Sequence, residues 1–197
     1  MKLIRSILLI VLIASGISGF SQKNRPPSDP MSVGNIILNF GFGPATSFHG
    51  YYYGFAPGFM IGGEIGMWEA GPGVIAIGGE FGWDYWTNTY YNNKYGAGVP
   101  NYTYTYMSIT IAPRASYHYG WHVDGLDTYA GVAIGPRIPI FSYDIPNYDG
   151  DVAKPGVWVG GGFFAGASYF FTPLIGVNAE FGYNITYAQI GMAFRIK

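Results

Sequence analysis

Large apolar residues alternate with small or charged residues along most of this chain, which is the side-chain period of a β-strand. In one stretch Ile77, Phe81, Trp83 and Tyr85 share a face. Clusters of turn-forming residues, such as 69–73, separate one stretch from the next. The pattern predicts eight strands, at residues 35–42, 56–67, 74–86, 103–117, 127–143, 157–171, 175–183 and 187–197.

The two faces of these strands are unusual for a protein in water. Glu64, Glu80 and Glu180 are each followed by an apolar residue, a glycine and another large residue. One face therefore carries glycine and single charges, and the other carries groups too large and aromatic for water. A soluble barrel of the lipocalin type, the main alternative, exposes polar faces rich in Lys and Glu, whereas the polar faces here consist mainly of Gly and Ala. The pattern favours an inverted sheet, with its apolar face towards lipid.

The connections between the strands alternate between long and short, apart from a brief last one. Barrels of the outer membrane have short periplasmic turns and longer outer loops. Closure also removes unpaired strand edges, which lipid does not tolerate. We therefore predict an all-β fold, an eight-stranded antiparallel up-and-down transmembrane β-barrel, whose lumen is just wide enough to be filled by side chains.

Composition agrees with a membrane barrel. Charged residues make up 11 % of the 197 residues and aromatic residues 19 %, against about 25 % charged in an average soluble domain. The net charge of −1 argues against nucleic acid as a partner. The absence of cysteine excludes disulfides and thiolate metal sites.

The N-terminus predicts export. Lys2 and Arg5 precede a short apolar run at 7–14, and a small-x-small cleavage motif ends at Ser21. We expect a cleaved signal peptide at 1–21, a flexible periplasmic lead-in at 22–33 and an outer-membrane barrel at 34–197. An uncleaved anchor helix is the alternative, although the apolar run is short for one.

The predicted inward face carries charges of both signs. They are Glu64, Glu80, Asp84, Arg114, Arg137, Glu180 and Arg195. Buried charges are tolerated when they are paired, so we expect an ionic network that plugs the lumen; a narrow ion path is the alternative. Pro113 and Pro136 interrupt strands just before inward arginines, and we predict local bulges there, or one strand split into two pieces.

Other candidate sites are weaker. His118 and His122 have the spacing of a helical metal pair, but they do not converge across a strand end. Ser47, His49 and Asp84 are a candidate hydrolytic trio, whose geometry sequence does not establish. Residues 144–151 resemble an incomplete calcium loop, for which a solvated turn is favoured. We predict no catalytic site, no metal and no cofactor.

Tyrosine and tryptophan gather near the predicted strand ends. Interfacial aromatic residues are the rule for membrane barrels, although a rim that binds protein or glycan is the alternative. The predicted aromatic girdle comprises Trp68, Trp83, Tyr85, Trp86, Tyr104 and Trp121.

The signal, the eight alternating stretches, the Tyr-Phe-Phe-Thr-Pro turn at 169–173 and the terminal Gly-Met-Ala-Phe-Arg-Ile at 191–196 resemble the small outer-membrane β-barrel proteins of the OmpA/OmpX type. Members usually end on an aromatic residue that the assembly machinery recognises; in this chain Phe194 or Ile196 takes that place.

The resemblance implies location in the outer membrane of Gram-negative bacteria. It also implies contacts with outer-membrane lipids and lipopolysaccharide, with the outer-membrane assembly machinery, and with an extracellular partner through the loops. We expect a structural or surface-interaction role in the cell envelope. The alternatives are a narrow small-solute or ion pore and, third, a lipid-modifying enzyme.

Overall fold

The computed structural model describes residues 31–45, 57–90, 102–144 and 156–196. They form a closed barrel in which each strand pairs antiparallel with the next and the first pairs with the last. The predicted fold is confirmed. The strands are β1 (Ile36–Pro44), β2 (Pro57–Ala70), β3 (Gly73–Tyr90), β4 (Tyr102–Tyr119), β5 (Leu126–Asp144), β6 (Trp158–Phe170), β7 (Ile175–Tyr183) and β8 (Ala188–Ile196).

Several sequence expectations lie outside the described residues. These are the signal peptide at 1–21, most of the lead-in, and Ser47 and His49 of the proposed hydrolytic trio. Most of the candidate calcium loop at 144–151 also lies outside them. In the described part of the chain, no helix is long and apolar enough to cross a membrane.

The alternation along the strands separates an apolar outside from a polar inside. Phe81 is 42 % exposed and Ile190 is 71 % exposed, whereas Glu80 is 4 % exposed and Arg114 is 2 % exposed. Large apolar side chains therefore cover the outer wall, and the charged side chains line the lumen. This is the inversion that the sequence pattern predicts.

The two ends of the barrel differ in their connections. The β2–β3, β4–β5 and β6–β7 connections are short, and they lie at the same end as the start of β1 and the end of β8. We call this the periplasmic end. At the opposite, outer end, β1–β2, β3–β4 and β5–β6 are joined by longer connections, whereas residues 184–187 form a brief β7–β8 link.

Strand β3 extends four residues beyond its predicted end at Trp86. Threonine hydroxyls pair across β3 and β4 in this extension, at 3.3 Å for Thr87 with Thr105 and 3.0 Å for Thr89 with Thr103. Cross-strand threonine pairs stabilise a sheet. The extension therefore needs no apolar alternation, which explains why the sequence pattern missed it.

The predicted bulges at Pro113 and Pro136 are wrong. The β4–β5 register is the same on both sides of the prolines, with Thr110 opposite Arg137 and Arg114 opposite Ala133. Only the pairing of residues 111–113 with 134–136 is interrupted. Proline has no N–H to donate. Because both prolines lie in the same interruption, the β4–β5 ladder loses hydrogen bonds at only one place.

A register shift does occur in β2, between Gly66 and Trp68. A bulge there adds a residue to one strand and bends it locally. It lies near the periplasmic end, where a segment preceding β1 also contacts Gly66.

Candidate functional site: the polar lumen

Arg114 projects from the middle of β4 into the lumen and meets three carboxylates. Its Nε lies 3.0 Å from Glu64 Oε2, its Nη1 3.1 Å from Glu80 Oε2, and its Nη2 3.1 Å from Glu180 Oε2. The guanidinium also lies 3.9 Å from the centroid of the Phe164 ring, within range of a cation–π interaction. One cation therefore joins carboxylates from β2, β3 and β7.

Neutral side chains also donate hydrogen bonds to two of these carboxylates. Gln189 donates to Glu180 Oε1 at 3.1 Å, and the Tyr129 hydroxyl donates to Glu180 Oε2 at 3.2 Å. Asn184 of the β7–β8 link donates to Glu80 Oε2 at 3.0 Å. These bonds extend the network to β5 and β8, so the cluster connects most of the barrel wall across its interior.

A second polar chain continues towards the periplasmic end. The Ser116 hydroxyl donates to Glu64 Oε1 and lies 2.8 Å from His118 Nε2. His118 Nδ1 lies 2.9 Å from Asp127 Oδ2. All four side chains are buried. This series of contacting side chains therefore links β2, β4 and β5 on the periplasmic side of Arg114.

This arrangement has the connectivity of a Ser-His-Asp triad, but it lacks the chemistry of one. A triad requires the serine proton to be donated to histidine. Here the Ser116 hydroxyl donates to Glu64 instead, so the serine is not paired with His118 as the serine of a triad is.

Asp84 and Arg137 lie in the outer half of the lumen, away from Arg114. Asp84 accepts a hydrogen bond from Ser108 at 2.8 Å, and Arg137 Nε donates to Thr110 at 2.9 Å. Arg137 is only 6 % exposed. Among the described residues, no carboxylate lies within ion-pair distance of it.

Arg195 lies at the opposite end. Its Nε donates to the Pro173 carbonyl at 2.9 Å, and its guanidinium lies 5.1 Å from the Phe170 ring centroid. Of the seven predicted interior residues, the structure thus brings four together at one point. It places Asp84, Arg137 and Arg195 at other levels.

Apolar side chains lie inside both ends of the lumen. At the outer end Trp86 and Tyr106 are buried with Tyr104 and Phe141 against them, and Ile185 of the β7–β8 link is 1 % exposed. The cluster at the periplasmic end consists of Met31, Ile37, Val74, Ala76, Phe170 and Ala193.

The expectation of a flexible lead-in is wrong for residues 31–33. Met31 is 3 % exposed within the periplasmic cluster, and Val33 pairs with Gly66 of β2. Burial of an apolar side chain is favourable enough to order a short segment of chain. Sequence alternation does not detect this, because the contact is made outside any strand.

Two members of the predicted aromatic girdle face the lumen instead. Trp68 and Tyr85 are exposed on the outer wall, Trp121 is exposed in the β4–β5 connection, and Trp83 stacks on Phe59 on the outer wall. Trp86 and Tyr104, however, pack against each other inside, with ring centroids 5.6 Å apart. The reason is strand alternation: Trp86 follows the outward Tyr85, and Tyr104 shares the phase of the inward Ser108 and Arg114.

Several polar residues that form hydrogen bonds in the lumen are absent from the predicted interior network. They are Ser116, Asp127, Tyr129, Asn178, Asn184 and Gln189. Strand phase was a usable signal for Asp127 and Tyr129, which lie on the same face of β5 as the inward Arg137. The described residues contain no group of three or more His, Asp or Glu side chains suited to a metal ion.

Comparison with known proteins supports the architecture. The chain is similar to a de novo designed transmembrane β-barrel, with a TM-score of 0.50 and 15 % identity over 85 % of this chain and 99 % of that one. It therefore has the fold of small eight-stranded outer-membrane β-barrels.

It is also similar to Ail, the attachment invasion locus protein of Yersinia pestis. The backbone structure of Ail in a phospholipid nanodisc gives a TM-score of 0.42 and 12 % identity, over 84 % of this chain and all (100 %) of that one. A crystal structure of Ail with the heparin analogue sucrose octasulfate gives 0.43 and 14 %, with the same coverage, 84 % and 100 %. The sequence matches no protein-family model and no curated protein.

Proposed function

We propose that this protein is a closed outer-membrane barrel that serves as a structural or surface-interaction protein of the cell envelope. The observation that carries the proposal is the fully buried cluster of Arg114 with Glu64, Glu80 and Glu180, whose members cross the lumen from four strands. We expect a cross-linked cluster at the centre to block the passage of solutes. The apolar side chains inside both ends add to this obstruction.

Conductance in planar lipid bilayers tests this proposal. We expect the purified, folded barrel to give no reproducible single-channel steps. A variant with Arg114, Glu80 and Glu180 all replaced by alanine removes the central cluster and should conduct, provided that it remains folded. Regular steps from the unaltered protein would overturn the closed-lumen proposal.

A narrow pore is the second candidate, because the charges inside the lumen do not balance. Among the described residues, five buried carboxylates (Glu64, Glu80, Asp84, Asp127, Glu180) face three buried arginines and one histidine. An excess of carboxylates lining a pore favours cations. If steps are observed, their reversal potential in a salt gradient should therefore indicate cation preference.

The proposed location is the bacterial outer membrane, reached by export through the periplasm. The apolar outer wall supports contact with outer-membrane lipids and lipopolysaccharide, and export to that membrane requires its assembly machinery. The outer loops would contact an extracellular partner. Cell fractionation tests the location: recovery in the soluble periplasm would contradict it.

The proposed role is not enzymatic. It is supported by Ser116, the serine beside a histidine–aspartate pair, whose proton is donated to Glu64. A lipid-modifying activity at Ser47 and His49 is tested by replacing each with alanine. If the non-enzymatic proposal holds, the purified protein has no acyltransferase or lipase activity that depends on Ser47 or His49.

A further inference from the structure

We propose that residues 31–35, here called the strap, form a detachable cover over the periplasmic mouth of the barrel. This inference goes beyond the proposed role of the barrel. The strap covers the periplasmic mouth of the lumen, whereas the Arg114 cluster closes its centre.

Backbone hydrogen bonds fasten the strap to one point on β2. The Gly34 N–H donates to the Gly66 carbonyl at 2.9 Å, and the Gly66 N–H donates to the Asn35 carbonyl at 3.0 Å. Within the strap the Asn35 N–H donates to Ser32 at 3.0 Å, which closes a tight turn. Val33 lies parallel to Gly66, unlike the antiparallel pairs of the barrel. The strap therefore adds a short extra ladder beside β2.

Both contacting positions, Gly34 of the strap and Gly66 of β2, favour glycine for structural reasons. Gly34 has φ of +87°, in the left-handed region that favours glycine. A Cβ added at Gly66 would overlap the Ser32 carbonyl oxygen. The register shift in β2 also begins at Gly66. Bulges re-aim a strand locally, and this one lies where the strap is attached.

Met31 is the part of the strap that enters the barrel. It is 3 % exposed among Ile37, Val74, Ala76 and side chains from the far wall. Next to it is a cavity of about 50 Å³, lined by Met31, Val74, His118 and Asp127 and also by Pro72 and Gly120 of the short connections at this end. Such a space holds one or a few water molecules. Met31 therefore covers one side of the space that adjoins the His118–Asp127 pair.

The strap is held much more weakly than the wall that it covers. Each barrel strand pairs with a neighbour on both sides over at least seven residues, whereas the strap has one short ladder and one buried side chain. Segments with few buried contacts open at lower free energy than the rest of a structure. Gly34 provides the hinge. Binding or tension on the chain that precedes Met31 would therefore open the mouth while Arg114 keeps the centre closed.

A single thiol behind the strap tests this proposal. The chain contains no cysteine, so Val74→Cys introduces one thiol where Met31 packs. Its rate of reaction with a small, charged, water-soluble methanethiosulfonate is measured in the folded barrel. We expect Met31→Gly and, separately, Gly66→Ala to accelerate the reaction by about tenfold or more, because labelling of a covered thiol follows the population of the open form.

Gly79→Ala is the matched control, since a Cβ at Gly79 approaches only the Ala112 carbonyl, at an ordinary 3.6 Å. It should leave the labelling rate unchanged. Equal rates with and without the Met31 side chain, or rapid labelling when the strap is intact, would overturn the proposal. If Gly66→Ala does not fold, Met31→Gly decides. Neither result depends on conductance, so failure of the strap and failure of the closed lumen are distinguishable.

Discussion

Arg114 Nε and Glu64 Oε2 lie 3.0 Å apart, and neither side chain is more than 1 % exposed. Arg114 belongs to β4 and Glu64 to β2, so the ion pair crosses the interior past β3 instead of following the wall. Glu64 also accepts from Ser116 and lies 3.9 Å from His118 Nε2. It therefore contacts both Arg114 and the Ser116–His118 pair.

Loss of the central cation should be far more costly than loss of the outer one. Arg114→Met leaves three buried carboxylates without their partner, and we expect unfolding to require about 3–5 kcal/mol less free energy. Arg137→Met removes a buried arginine without a carboxylate partner among the described residues, and should be neutral or stabilising. Urea unfolding in lipid vesicles measures both. Similar losses in the two variants would contradict this account of the network.

The three carboxylates around Arg114 should not contribute equally. Glu80 Oε1 is buried and has no hydrogen-bond partner, whereas both oxygens of Glu180 accept hydrogen bonds. A cluster with more carboxylates than cations should tolerate losing the least satisfied charge. We therefore expect Glu80→Gln to change stability by less than about 1 kcal/mol, and Glu180→Gln to cost about 1–3 kcal/mol. The same unfolding measurement compares them, and the reverse order would refute the ranking.

Closure of the barrel should depend on Gly191. A Cβ at this position would overlap the carbonyl oxygen of Phe40, at the seam where β8 meets β1. Because that neighbour is backbone, the strands must separate to relieve the overlap. We expect Gly191→Ala to reduce the compact, fast-migrating form on unheated SDS gels, and Gly79→Ala to preserve it. Normal migration of Gly191→Ala would show that the β1–β8 seam has room for a Cβ at this position.

The sequence predicted the wall better than the interior. Strand alternation fixes which face a residue occupies, and it correctly gave Glu80 and Phe81 opposite directions. The same rule, applied strictly, would have placed Trp86 inside. It does not give the height of a residue along the barrel axis, which depends on the register of every intervening pair. For this reason the meeting of Arg114 with Glu180, 66 residues later, required the structure.

Features outside the strands could not be predicted for a different reason. The contact of Met31 with the lumen and the bond from Asn184 to Glu80 are made by irregular segments. Such segments carry no periodic pattern to indicate where they lie. The bulge near Gly66 likewise lies where the strap contacts β2, and no turn or breaker signal in the local sequence indicates it.

The most direct test of the inverted barrel compares Trp83 with Trp86, three residues apart on β3. Trp83 stacks on Phe59 on the outer wall, whereas Trp86 is 5 % exposed inside. Two proteins, each retaining one of these tryptophans and carrying phenylalanine at the other four tryptophan positions, would be folded into vesicles of brominated phospholipid. The account predicts strong quenching of Trp83 fluorescence and little quenching of Trp86. Equal quenching of both, or quenching of Trp86 alone, would contradict it.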